Sequence, residues 1–129
     1  MNAFIAIAAV ALGGAVGSVM RYLVSNWFVA RLGPDFPWGT FTINVSGSFL
    51  IGIVLQLAAA RAGLNPYVRL FLATGILGGY TTFSTFAYES YILGAGNLAL
   101  QSLSYAAGSV LAGVAAAYLG VTVVRAIHP

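Results

Sequence analysis

The chain has 129 residues, of which 60% are hydrophobic and only 5% charged. Soluble domains carry roughly a quarter charged residues, so this surface cannot be covered with charge and its main solvent must be lipid. The net charge of +3 is that of five scattered arginines, without any lysine, against two acidic residues, which excludes a nucleic-acid-binding stripe, and the lack of cysteine excludes disulfides and thiolate metal sites.

Crossing a bilayer takes about 20 mostly apolar residues, and charges and turn residues cut the chain into four such stretches. The first runs from Ala3 to about Ala30 with Arg21 inside it. It lacks a basic leader and outruns a signal-peptide core, so it reads as a retained membrane helix. Loop chemistry follows in "RLGPDFP" (31–37). The second stretch covers Trp38 to Ala60. "RAGLNPYVR" (61–69) reads as the next loop, Leu70 to Leu93 as the third stretch, "GAGN" (94–97) as a break, and Leu98 to Ile127 as the fourth. The runs are too long and too continuously apolar for barrel strands. The expected fold is all-α, with four transmembrane helices forming one domain over residues 1–129.

Small residues stand four apart at Gly13 and Gly17, Ser48 and Gly52, and Ser109 and Gly113, a spacing that lets helix backbones approach closely. So small a bundle encloses little interior, which argues for a homo-oligomer. Arg61, Arg69 and Arg125 fall at one end of the bundle. Arg31, with Arg21 nearer that half, falls at the other. This modest bias permits insertion in both orientations without establishing it.

The third stretch holds the polarity. "GILGGYTTF" concentrates three glycines and two threonines at membrane depth. Two readings stay open: a broken helix whose free carbonyls face an ion, or a continuous helix in which Gly75 and Gly79 form a packing face. Phe83 and Phe86, three apart, share a helical face. Around them lie Thr81, Thr82, Ser84, Thr85, Tyr88 and Glu89. Hydroxyls donate hydrogen bonds and aromatic ring edges carry partial positive charge, so such a track suits a small anion without trapping it.

Elsewhere, Arg21 reads either as a charge that draws an anion into a vestibule or as a snorkelling side chain. Asn44 is a donor beside a pathway or a bond between helices, and Thr40 lies one turn before it. Tyr105 and Ser109 share a face of the fourth helix and either extend a polar path or bond neighbouring helices. Glu89, the only glutamate, could bind a proton or a cation, pair with Arg21 or sit at a wet helix end, and of these a structural ion pair is preferred. One histidine, one aspartate and one glutamate leave few carriers for proton-coupled transport, and no enzymatic motif is present.

The motifs "GGAVGSVMR", "GTFTINVSGSF" and "GILGGYTTFSTF" resemble the Fluc (CrcB) family of fluoride channels, over essentially the whole chain. The resemblance implies a passive bacterial inner-membrane channel that exports fluoride from the cytoplasm. It implies an antiparallel, dual-topology homodimer in the lipid bilayer, with two pores. Phe83 and Phe86 would wall each pore, Asn44 would lie beside it, and Ser84, Thr85, Tyr105 and Ser109 would add polar contacts. A central structural sodium ion would be held by the backbone carbonyls of Gly78 and Thr81. Two other classes remain for comparison: a small multidrug-resistance-type antiporter, which would need a glutamate in its first helix, and a scaffold subunit whose polar residues only join helices.

Overall fold

A computed structural model describes residues 1–60 and 63–127. Arg61, at the start of the expected second loop, and His128 lie outside the described residues. Four helical spans are long and apolar enough to cross a membrane: Ala3–Leu32, Trp38–Ala59, Pro66–Ala95 and Ala99–Ile127. No strand occurs among the described residues. The first, α1, is capped by Asn2, whose side-chain oxygen accepts from the amides of Phe4 and Ile5, and it stops at Gly33 with φ 78°. The second, α2 (Trp38–Ala59), starts directly behind Pro37.

The third span departs from its expected limits at both ends. Residues 66–69 of the expected loop are helical, because Asn65 caps the amide of Tyr67 and Pro66 occupies the first turn, where a missing N–H costs nothing. The helix α3 (66–80) passes through a wider π-helical stretch at Leu70–Leu77 and ends at Tyr80. Thr81 and Thr82 are extended, with ψ 158° and 115°. A new helix, α4 (Phe83–Ala95), then continues with an axis bend of only 19°. It closes through Asn97 at φ 61°, where the amide of Leu98 bonds back to the Leu93 carbonyl. The last helix is α5 (Ala99–Ile127), and its Ser102 hydroxyl donates to the Ser90 carbonyl of α4 at 2.6 Å.

The helices associate through missing side chains. α1 lies along α3, and α2 along α5. A Cβ on Gly13 would strike the Phe71 carbonyl, and one on Gly17 the Ile76 carbonyl. One on Gly75 would meet the Cα of Gly13 at 2.9 Å, and one on Gly79 the carbonyl oxygen of Gly14 at 2.6 Å. Gly52 abuts the Ala117 carbonyl and Gly120 the Phe49 carbonyl, so α2 and α5 touch backbone to backbone as well. Gly75 and Gly79 thus form the packing face, but the continuous helix expected with it is not found: the helix breaks just beyond them, at Thr81 and Thr82. Packing of this kind replaces the hydrophobic effect, which does not drive helices together in lipid.

The amide of Asn2 donates to the Tyr67 hydroxyl at 2.7 Å, which ties the start of α1 to the start of α3. With four spans, the N-terminus, the start of α3 and the end of α5 share one face, where Arg69 and Arg125 stand. The 33–37 loop and the α4–α5 turn share the other.

Candidate ion pathway

A helix interrupted at membrane depth leaves backbone groups without ladder partners, and water cannot repair them there. Here side chains do. Asn44 of α2 turns its amide onto Thr82. Its Nδ2 donates to the Thr82 carbonyl at 3.1 Å, and its Oδ1 accepts the Thr82 amide at 2.9 Å. The Thr82 hydroxyl caps α4 by accepting the Thr85 amide at 3.3 Å and also reaches the Thr85 hydroxyl at 3.0 Å. The Thr81 hydroxyl donates to the Leu77 carbonyl at 2.9 Å. Threonine suits this segment twice over, since its branched side chain favours extended backbone and its hydroxyl competes for backbone groups.

These bonds have a consequence for two carbonyls. In an unbroken helix the Thr82 amide would serve the Gly78 carbonyl and the Thr85 amide the Thr81 carbonyl. Both amides are engaged elsewhere. The Gly78 and Thr81 carbonyls thus lack their helical donors, and both residues line one open cleft of about 430 Å³.

That cleft also gathers Asn44, Phe83, Phe86 and Ser109, from α2, α4 and α5. The Phe83 and Phe86 rings lie 5.8 Å apart, and Phe86 lies 5.3 Å from Tyr105, within the range of favourable aromatic contact. Ser109 is buried and its hydroxyl has no hydrogen-bond partner among the described residues. Phe83, in contrast, is 79% exposed in the single protomer, and Ser84 and Thr85 beside it are exposed too.

Beyond Phe86 the polar residues converge on Glu89. Its Oε1 accepts from the Thr40 hydroxyl at 2.8 Å, and its Oε2 from the Tyr105 hydroxyl at 2.7 Å. Thr40 and Tyr105 are 4% and 2% exposed, so the cluster is shielded. The expected pairing of Glu89 with Arg21 is not what the structure contains: both carboxylate oxygens are held by hydroxyls. Arg21, half-buried on α1, lines neither the cleft at Phe83 nor a second cleft beside Glu89.

The structure therefore brings Asn44, Phe83, Phe86, Tyr105, Ser109 and Thr40 into one continuous region and leaves Arg21 apart from it. Sequence reasoning underrated Thr82, the node of the break. A threonine three residues ahead of Thr85, at the start of a helical stretch, was the available signal.

Comparison with known proteins gives one consistent result. The family model described as "CrcB-like protein, Camphor Resistance (CrcB)" matches residues 8–121. The "Fluoride-specific ion channel FluC" of Nitrobacter winogradskyi is 52% identical, over 94% of this chain and 96% of its own. The proteins of the same name from Rhizobium meliloti and Thermus thermophilus are 45% and 49% identical, covering 92% and 86% of this chain and 94% and 87% of theirs.

Replacing Asn44 by leucine removes both bonds to Thr82 and leaves an amide and a carbonyl unpaired. Each unpaired group costs about 1–3 kcal/mol, so Asn44→Leu is expected to melt well below the parent in detergent, with faster hydrogen exchange at the Thr82 amide. An unchanged melting temperature and exchange rate would show that the break does not depend on Asn44.

Proposed function

The chain belongs to the CrcB-like family, and we propose that it is a fluoride-specific passive channel that lets cytoplasmic fluoride leave the cell through the inner membrane. The observation that carries the pathway is the buried, unpartnered Ser109 hydroxyl beside the Phe83–Phe86 pair.

Fluoride is small and holds water strongly, so a selective path must replace that water with donors and partial positive charge. Ser109 offers a free O–H. Asn44 spends one of its Nδ2 hydrogens on Thr82, which leaves the other for an anion. The edges of Phe83 and Phe86 supply positive charge without a full cation that would trap the ion. At the far end, the Thr40 and Tyr105 protons are already given to Glu89, so an anion there competes with a carboxylate for the same donors. That competition, with charge repulsion, favours release over retention. Ser84 and Thr85 add hydroxyls on the exposed side of α4.

A second copy of the chain completes the site. Phe83, Ser84, Thr85 and Gly78 are exposed along one broken helix, and polar groups facing lipid are costly. An antiparallel homodimer with two pores covers this face and lets both subunits wall each pore. It also bears on the proposed structural sodium ion. Two carbonyls from one protomer make a poor cation site. Four carbonyls, from Gly78 and Thr81 of each copy, make an oxygen cage of the kind cations find at interrupted membrane helices. The freed carbonyls of this chain fit that role, and no side-chain metal cluster occurs among the described residues. Arg21, outside the clefts of the protomer, is assigned to the vestibule of the dimer.

The antiporter reading fails on its own requirement, since α1 contains no acidic residue. The scaffold reading leaves the Ser109 hydroxyl without a purpose.

Purified protein in fluoride-loaded liposomes, with sodium present, is expected to release fluoride and retain chloride under ion-selective electrodes. Phe83→Ile and Phe86→Ile should each cut fluoride release by at least about tenfold while the dimer persists. Parental release from both variants would reject the aromatic wall. In crystals soaked with thallium, anomalous density is expected between the Gly78 and Thr81 carbonyls of the two subunits, and density absent from that position would refute the cation site.

A further inference from the structure

One buried ring, Tyr105, stands between the cleft at Phe83 and a second cleft of about 390 Å³. The second cleft lies where the end of α1, the 33–37 loop and the start of α2 face the middle of α4, and Asp35, Phe36, Thr40 and Glu89 help to line it. Tyr105 is 2% exposed and meets a ring from each side. Phe86, of the first cleft, lies 5.3 Å from it. Phe36, of the second, lies 5.5 Å from it at an interplanar angle of 81°. With Phe83 5.8 Å beyond Phe86, a chain of touching rings runs from one cleft to the other.

The backbone sets Phe36 in this position. Pro37, with φ −78° and ψ 59°, makes an inverse γ-turn, in which the Trp38 amide donates back to the Phe36 carbonyl at 2.8 Å. Proline supplies that φ without strain. The Phe36 ring also lies 4.5 Å from that of Trp38. An aromatic side chain that served only as a membrane-surface anchor would turn to the headgroups. Phe36 instead is half-buried and set at right angles on the ring whose hydroxyl serves Glu89.

An anion that has passed Phe86 meets unfavourable charge next. The Thr40 and Tyr105 protons are given to Glu89, Asp35 lines the same cleft, and none of the described arginines does. A ring edge offers partial positive charge there without a full cation that would hold the ion. We propose that Phe36 is a further residue of the fluoride pathway: it forms the outer end of the aromatic track, and the second cleft is the mouth by which the ion leaves. The proposal rests on the channel reading and adds to it an exit and the residue that shapes it.

The chain has no cysteine, so a thiol placed at position 36 is the only one in each subunit. Phe36→Cys is labelled in detergent with a cationic trimethylammonium-ethyl or an anionic sulfonato-ethyl methanethiosulfonate, then reconstituted into fluoride-loaded liposomes. Release is expected to be at least about tenfold faster with the cationic label than with the anionic one, because a charge at a mouth multiplies the local anion concentration. Ala99 is exposed at the same end of the bundle and lines neither cleft. The same two labels on Ala99→Cys should differ by less than about twofold, because exposed charge is screened by salt. Two uncharged variants decide the matter if Phe36→Cys does not fold. Phe36→Tyr keeps the ring and should release fluoride at the parental rate, and Phe36→Leu should be slower by at least about threefold. Equal release under the two labels, parental release from Phe36→Leu, or equal slowing of Phe36→Leu and Phe36→Tyr overturns the proposal, the last by marking a merely structural ring. A parent protein that releases no fluoride defeats the channel reading itself, and this exit with it.

Discussion

A backbone inside a lipid bilayer must find all its hydrogen bonds within the protein, and the two extended residues Thr81 and Thr82 break that rule unless something answers them. Asn44 answers. By matching the amide and carbonyl of Thr82 with its own carbonyl and amide, it lets a helix stop and restart with little change of direction. The diverted amides set two carbonyls free, the restarted helix presents Phe83 and Phe86, and the remaining Asn44 hydrogen stays beside them. The proposed cation and anion sites thus both follow from one side-chain clamp.

Close backbone packing makes the clamp possible. With Gly13 and Gly17 on α1 and Gly75 and Gly79 on α3, the first half of the broken helix is held by contacts that admit no methyl group. Gly47 plays the same part from α2, where a Cβ would collide with the Thr81 side chain. The second half is held differently, by the bonds of Ser102 to α4 and of Glu89 to Thr40 and Tyr105. One half rests on shape and the other on hydrogen bonds.

The helices were legible because hydropathy sums locally, and the arginines and Gly-Pro clusters that end them are local as well. Phe83 and Phe86 were legible for the same reason, their spacing of three within a short polar stretch. What remained hidden is pairing across sequence. Asn44 meets Thr82 from 38 residues away, and Thr40 meets Glu89 from 49. No periodicity encodes which hydroxyl a lone glutamate will choose, so the expected Arg21–Glu89 pair gave way to two neutral donors. The gathering of Asp35 and Glu89 in one cleft was hidden likewise, since 54 positions part them. The start of α3 was missed for a smaller reason: the proline and asparagine that suggested a loop are also what begins a helix.

The central claim is that fluoride travels between the Phe83 and Phe86 ring edges and the Ser109 hydroxyl. Solid-state NMR of the channel in fluoride-containing membranes, with 13C-labelled phenylalanine and serine, measures it directly through fluorine–carbon dipolar coupling. The account predicts that bound fluoride couples to ring carbons of Phe83 and Phe86 and to the Cβ of Ser109, with the last coupling lost in Ser109→Ala. Bound fluoride coupled to none of these carbons would contradict it.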